Sequence, residues 1–288
     1  MSKIKLLALD LDGTLLGPDS RVSRENARAV RLAQQKGVQI VLCTGRNLTE
    51  TRAFNEQLDA PADWAVIANG AAVQRFADGA QIAFDGLDRE MCAAVRKLCA
   101  QFGVDPCLYT ADKLYYGREF LRFLEEIRRR GRVSLDETAA GYEFVPDTAG
   151  WNVVAAREDG HVLKAILHHL DPKVVDRMMQ ELDNTGLFEF APSIMYGGQL
   201  KNVEINRKGV HKGGALAKLA AYLGYGMDAV MAVGDSDNDL SMLRMAGLGV
   251  AMENAQPSIR AAADVVTADN ASDGVAVAIK QYILEGQT

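Results

Sequence analysis

Short apolar runs that end in polar, glycine-containing turns alternate with helix-like stretches through the first third of the chain. Ile4-Lys5-Leu6-Leu7-Ala8-Leu9 has the pattern of a buried strand and closes in Asp10-Leu11-Asp12-Gly13-Thr14. Residues 23–36 have helical composition and stop at Gly37, a helix-stop signal. A second apolar strand, Gln39-Ile40-Val41-Leu42-Cys43, ends in Thr44-Gly45-Arg46. Residues 47–58 are again helical, and Trp64-Ala65-Val66-Ile67-Ala68 is a third strand ending in Asn69-Gly70. Such a β-α-β-α-β order implies a parallel sheet with right-handed crossovers.

The middle of the chain breaks this rhythm. Helices are expected at 89–102, 119–129 and 173–182, with β-prone pieces at Leu108-Tyr109 and Leu114-Tyr115-Tyr116. Trp151-Asn152-Val153-Val154-Ala155 and Val162-Leu163-Lys164-Ala165-Ile166-Leu167 read as strands, and His168-His169 as ordinary surface and loop rather than metal ligands. From Lys201 the first pattern resumes, with a helix at 213–223, a strand at Ala229-Val230-Met231-Ala232-Val233 and a helix at 240–245. Strands Gly247-Leu248-Gly249-Val250-Ala251 and Asp264-Val265-Val266-Thr267 and a helix at 274–284 complete it. The fold class is therefore α/β, a doubly wound parallel sheet with an inserted α+β unit. The core comprises residues 1–84 and 200–288, and the insert 85–199. Gly86 and the pair Gly197-Gly198 are the expected hinges.

Polar groups gather at the expected strand ends. Residues i and i+2 of a strand point the same way, so Asp10 and Asp12 are expected to project together from the carboxyl edge, where open α/β sheets bind ligands. Two carboxylates repel by roughly 4 kcal/mol at 4 Å and an effective dielectric near 20, so a cation, a shared proton or a chemical task must offset them. Thr44 ends the second strand, and Asp235, Asn238 and Asp239 follow the strand at 229–233. Lys212 opens a helix. Hard oxygen donors suit Mg²⁺, which keeps positions for water and phosphate. With Mg²⁺ and Lys212 offsetting its charge, a phosphoryl group fits beside the carboxylates, and Thr44 and Asn238 are possible donors to its oxygens. One carboxylate can then act as nucleophile and the other move protons. Taken singly, Lys212 reads as a surface lysine, Thr44 as a helix cap and 235–239 as a solvated turn. No Walker A loop or Gly-x-Gly-x-x-Gly motif is present.

The four segments Asp10-Leu11-Asp12-Gly13-Thr14-Leu15, Thr44-Gly45-Arg46, Lys212-Gly213 and Gly234-Asp235-Ser236-Asp237-Asn238-Asp239 resemble, in order, the motifs of the haloacid dehalogenase superfamily of phosphohydrolases. The position of the insert resembles the Cof-type subfamily, whose C2B cap covers the active site. The resemblance implies that Asp10 attacks phosphorus and that Asp12 serves as acid and then base. It implies Mg²⁺ on the Asp10 carboxylate, the Asp12 carbonyl and the Asp235 carboxylate. Thr44, the Gly45 backbone, Lys212 and Asn238 would hold the phosphoryl oxygens, and Asp239 would stand behind, orienting Lys212 or a water on the ion. The family often has serine before the motif lysine, where this chain has His211.

Bulk properties narrow the partners. At 288 residues, 48% hydrophobic and 24% charged, the chain can bury a full core, and no apolar run reaches the length of a membrane span. A net charge of −6 and a pI near 5.4 disfavour nucleic acid. Arg128-Arg129-Arg130-Gly131-Arg132 reads as a solvated helix end. Four cysteines without metal spacing, and a first strand that leaves no room for a signal peptide, make a reduced cytoplasmic protein the expectation. Cys43 reads as a small apolar residue; Tyr109, Tyr115, Tyr116, Trp151 and Tyr196 read mainly as core, with some facing substrate. The expected activity is Mg²⁺-dependent hydrolysis of small phosphorylated metabolites, sugar phosphates above all. The alternatives are a phosphomutase of the same superfamily and an idle module that binds a phosphorylated ligand.

Overall fold

The computed structural model describes residues 4–131 and 141–285. The chain divides into two units, Met1–Phe84 with His211–Thr288 and Asp85–Val210. In the first, strand β1 (Leu6–Leu9) leads through helix α1 (Arg24–Gln35) to β2 (Gln39–Cys43), and α2 (Leu48–Asn55) leads to β3 (Trp64–Ile67). Local chemistry explains the boundaries: the side chains of Ser23 and Asn47 accept from backbone N–H groups in the first turns of α1 and α2. Two further strands follow, β4 (Ala72–Arg75) antiparallel to β3 and β5 (Gln81–Phe84) antiparallel to β4. At the sheet edge β5 escapes the hydrophobic pattern because it has no buried residue.

The second unit runs through α3 (Arg89–Gln101), β6 (Cys107–Tyr109), β7 (Leu114–Tyr116), α4 (Arg118–Arg129), β8 (Tyr142–Phe144) and α5 (Thr148–Arg157). It continues with β9 (Lys164–His169), α6 (Pro172–Asp183), β10 (Phe188–Met195) and β11 (Leu200–Arg207). Among the described residues the sheet order is β10-β11-β9-β6-β7-β8. Strand alternation sends Leu108 and Tyr115 to a core shared with Val95, Val175 and Met178, and Cys107, Tyr109 and Tyr116 to one shared with Phe120 and Phe123.

Four expectations are corrected here. Residues 151–155 lie inside helix α5, not a strand. Asp147 caps that helix on Gly150 N–H at 2.8 Å, and Trp151 and Val154, three apart, are its buried residues. Residues 200–210 belong to the second unit, because β11 pairs with β10 and β9 along nearly its whole length. Gly197 and Gly198 consequently lie in the connection between β10 and β11, both at positive φ, and not at a unit boundary. His168 is not surface: it is 1% exposed, packs at 5.0 and 5.7 Å from the Phe120 and Phe123 rings, and its Nε2 meets the Asp105 carbonyl at 3.1 Å. The basic helix end is solvated as expected, with Arg129 and Arg130 both paired to Glu126; Arg132 lies outside the described residues.

The chain then returns to the first unit with α7 (Lys212–Tyr222), β12 (Val230–Gly234), α8 (Leu240–Met245), β13 (Leu248–Ala251), α9 (Pro257–Ala262), β14 (Val265–Val266) and α10 (Gly274–Ile279). Among the described residues its sheet order is β14-β13-β12-β1-β2-β3-β4-β5, parallel from β14 to β3. Leu7 and Leu9 pack beneath α1 and α10, while Leu6 and Ala8 pack beneath α7 and α8. The doubly wound α/β expectation is thus met. Among the described residues, no helix is long and apolar enough to cross a membrane.

Candidate active site

Register aligns the three strand ends that carry the site. Leu9 of β1 lies opposite Leu42 of β2 and Val233 of β12, so Asp10, Thr44 and Asp235 all emerge at one carboxyl edge. Strand β1, however, stops at Leu9, and residues 10–16 form a turn in which Leu15 N–H donates to Asp10 O and Leu16 N–H to Leu11 O. The i, i+2 argument therefore does not apply to the aspartates, and their side chains have different partners. Asp10 is buried, whereas Asp12 is exposed and takes two bonds from Arg46, Nε to Oδ2 at 2.8 Å and Nη2 to Oδ1 at 2.6 Å.

Lys212 is the hub. It begins α7, is wholly buried, and donates from Nζ to Asp10 Oδ1 at 2.6 Å and Asp239 Oδ1 at 2.7 Å. His211 caps the helix, its Nδ1 accepting from Gly214 N–H at 3.0 Å, so the imidazole fills the place of a capping hydroxyl. The second oxygen of Asp239 accepts from Asp235 N–H, Ser236 N–H and Ser236 Oγ, which commits this carboxylate to holding the lysine and the 235–239 turn. Asp235 Oδ1 accepts from Thr14 Oγ1 at 3.0 Å. Gly13 has φ +84°, and a Cβ there would come within 2.5 Å of Asp235 Oδ2, so only glycine suits this turn. Asn238 Nδ2 donates to Asn69 Oδ1 at 3.1 Å. Thr44 Oγ1 accepts from Arg46 N–H at 3.1 Å, with half-buried Gly45 between them.

The electrostatics follow from this packing. Burial drives the Asp10 carboxyl well above the ordinary range, Asp239 adds to this, and the Lys212 ammonium opposes it. Burial likewise, and then Asp239, pushes Asp235 up to about 6. For Lys212 burial acts downward, but the adjacent Asp10 and Asp239 outweigh it and hold the ammonium above the usual lysine value. Cys43, beneath the site, is buried and its thiol is pushed up by burial, as suits a small apolar residue.

Asp10, Asp235 and Asp239 each offer a carboxylate oxygen within 4.8 Å of the others. Three carboxylates gathered about a single ammonium, with burial resisting charge on Asp10 and Asp235, form an oxygen donor set that fits a divalent cation. Since both oxygens of Asp239 are already engaged, Asp10 and Asp235 are the carboxylates left to bind it. The structure thus groups Asp10, Lys212, Asp235 and Asp239 tightly, ties Asn238 in through Asn69 and sets Thr44 on the same edge. Thr14, Asn69 and Arg46 received no role from the sequence. Arg46 adjoins the threonine motif, and Asn69 has a φ of +61° that only its turn reveals.

A family model of haloacid dehalogenase-like hydrolases matches residues 7–279. The chain is 32% identical over 281 residues to the 5-amino-6-(5-phospho-D-ribitylamino)uracil phosphatase YcsE of Bacillus subtilis (strain 168), covering 98% of this chain and 96% of that protein. It is 25% identical over 288 residues to the pyridoxal phosphate phosphatase YbhA of Escherichia coli (strain K12), covering 97% and 99%. A haloacid dehalogenase-like hydrolase from B. subtilis superposes with a TM-score of 0.81 at 28% identity, covering 96% of this chain and 99% of that one. The motif resemblance is confirmed: this chain belongs to the haloacid dehalogenase-like hydrolases.

Proposed function

We propose that the protein is a Mg²⁺-dependent, cytoplasmic phosphatase of small phosphorylated metabolites, acting through an aspartyl phosphate on Asp10. The observation that carries this reading is Lys212 bridging buried Asp10 and Asp239 beside Asp235. The bridge aims the Asp10 carboxylate and holds a positive charge beside the point where a phosphoryl group would arrive. Asp10 attacks phosphorus in line with the leaving oxygen, and the phosphorus–oxygen bond to the leaving group breaks. Asp12, exposed and held by Arg46 through both oxygens, would free one oxygen from that pair to carry the proton it gives the leaving oxygen. It would then take a proton from the water that cleaves the aspartyl phosphate. Asp10 and Asp235 would hold Mg²⁺ with the Asp12 backbone carbonyl, and the ion would offset charge on the phosphoryl oxygens. Thr44, the Gly45 backbone, Lys212 and Asn238 are assigned to those oxygens.

The substrate class rests on the relatives, whose names specify phosphate monoesters of a ribitylaminouracil and of pyridoxal. Sugar and sugar-alcohol phosphates are the first compounds to assay. The four cysteines form no disulfide among the described residues, which accords with a reduced compartment. Phosphate release from a metabolite panel, with Mg²⁺ and with EDTA, tests the proposal. Release that requires Mg²⁺, needs no bisphosphate activator and is lost in Asp10→Asn supports it; release that persists in EDTA or in Asp10→Asn overturns it.

A further inference from the structure

Three asparagine side chains from three separate elements grip the turn that follows Asp10. Asn254, after β13, donates from Nδ2 to Gly13 O at 2.9 Å. Asn26, in α1, donates to Leu15 O at 3.3 Å, and its Oδ1 accepts from Ala276 N–H of α10 at 2.9 Å. Asn270, after β14, donates to Leu16 O at 2.8 Å. The clasp is closed on itself, because Asn270 N–H donates to Asn254 Oδ1 at 3.0 Å.

The bond to Gly13 matters most. Its carbonyl belongs to the peptide leading into Thr14, whose Oγ1 holds Asp235, and it is one peptide beyond the Asp12 carbonyl. Gly13 also packs so closely on Asp235 that a Cβ would overlap it. Gly13 joins the peptide that bears the Asp12 carbonyl to the one that leads into Thr14, so a displacement of Gly13 carries both the Asp12 carbonyl and Asp235's tether. We propose that Asn254 is a positioning residue for the cation site: by fixing the Gly13 carbonyl it sets the separation of the Asp12 carbonyl and Asp235. This rests on the Mg²⁺ reading given above. Side chains that orient ligands without touching the ion typically alter its affinity by 10–100-fold.

The test is Mn²⁺ binding to full-length protein, followed by the loss of the free-ion paramagnetic resonance signal, for the wild type and Asn254→Ala. Thermal unfolding of both in EDTA accompanies it. Because Asn254 is exposed, the expected result is about tenfold weaker Mn²⁺ binding with an unchanged unfolding midpoint. Unchanged Mn²⁺ affinity would overturn the proposal while leaving the Mg²⁺ reading intact. Weaker binding that tracks a lowered midpoint would also overturn it, since the residue would then be a general support of the fold. A wild type that takes up no Mn²⁺ would overturn both.

Discussion

Arg46 holds Asp12 through two bonds of 2.8 and 2.6 Å, while its guanidinium lies 4.8 Å from the centre of the Phe54 ring. The arginine is fixed by the aromatic ring and in turn fixes an otherwise exposed carboxylate. A general acid needs this placement most when the leaving group is an alkoxide. Arg46→Ala should lower kcat about tenfold or more on an alkyl phosphate, part of the 10²–10⁴ available to general acid–base catalysis. It should cost less on p-nitrophenyl phosphate, whose leaving group departs without a proton. Arg46→Lys, lacking the planar fork, should fall between. Equal losses on both substrates would remove Arg46 from the control of Asp12.

The Lys212 bridge makes a second expectation. Removing the ammonium leaves Asp10 and Asp239 buried and uncompensated, and breaking a buried pair from one side costs about 3–5 kcal/mol. Lys212→Met should therefore abolish phosphate release and lower stability in EDTA, and added Mg²⁺ should restore part of the stability. Chemical unfolding with and without the ion measures this. A stable, active Lys212→Met protein would contradict the assignment.

His168 provides a pH dependence in the second unit. Burial holds its folded pKa down at about 4 against an ordinary 6.5. Between these values the unfolded chain binds a proton that the folded chain does not, so stability falls as pH drops from about 6.5 toward 4. From pH 7.5 to pH 5 this amounts to roughly 2 kcal/mol. His168→Gln keeps a donor for the Asp105 carbonyl but does not titrate. Urea unfolding of the two proteins should show that extra loss in the wild type alone, and parallel pH profiles would contradict it.

The strand ends were legible because charge at the close of an apolar run is a local signal. Asp10, Thr44 and Asp235 reach one edge by the register of β1, β2 and β12, which the β-α-β order already implies. What stayed hidden depends on where elements stop or how distant parts meet. Strand β1 ends at Leu9 as the apolar run implies, but the chain turns at once, and this gives Asp12 a different partner from Asp10. Trp151 to Ala155 combines strand-forming residues with a helical burial spacing, and the Asp147 cap decides for the helix. The return to the first unit at His211 and not at 200 follows from pairing between β11, β10 and β9, which no single segment announces. Asn254 and Asn270, spaced like ordinary loop residues, show their connection to Gly13 and Leu16 only in three dimensions.

The central claim is that Asp10 carries the phosphoryl group. Asp12→Asn with p-nitrophenyl phosphate and Mg²⁺ tests it most directly, because the first step needs no proton for this leaving group while the second lacks its base. The account predicts a burst of about one p-nitrophenolate per enzyme, as expected for an accumulating covalent intermediate, followed by slow turnover. Borohydride quenching should then convert Asp10 to homoserine, read by peptide mass spectrometry. A burst with the label on another residue, or linear release with Asp10 unmodified, would contradict it.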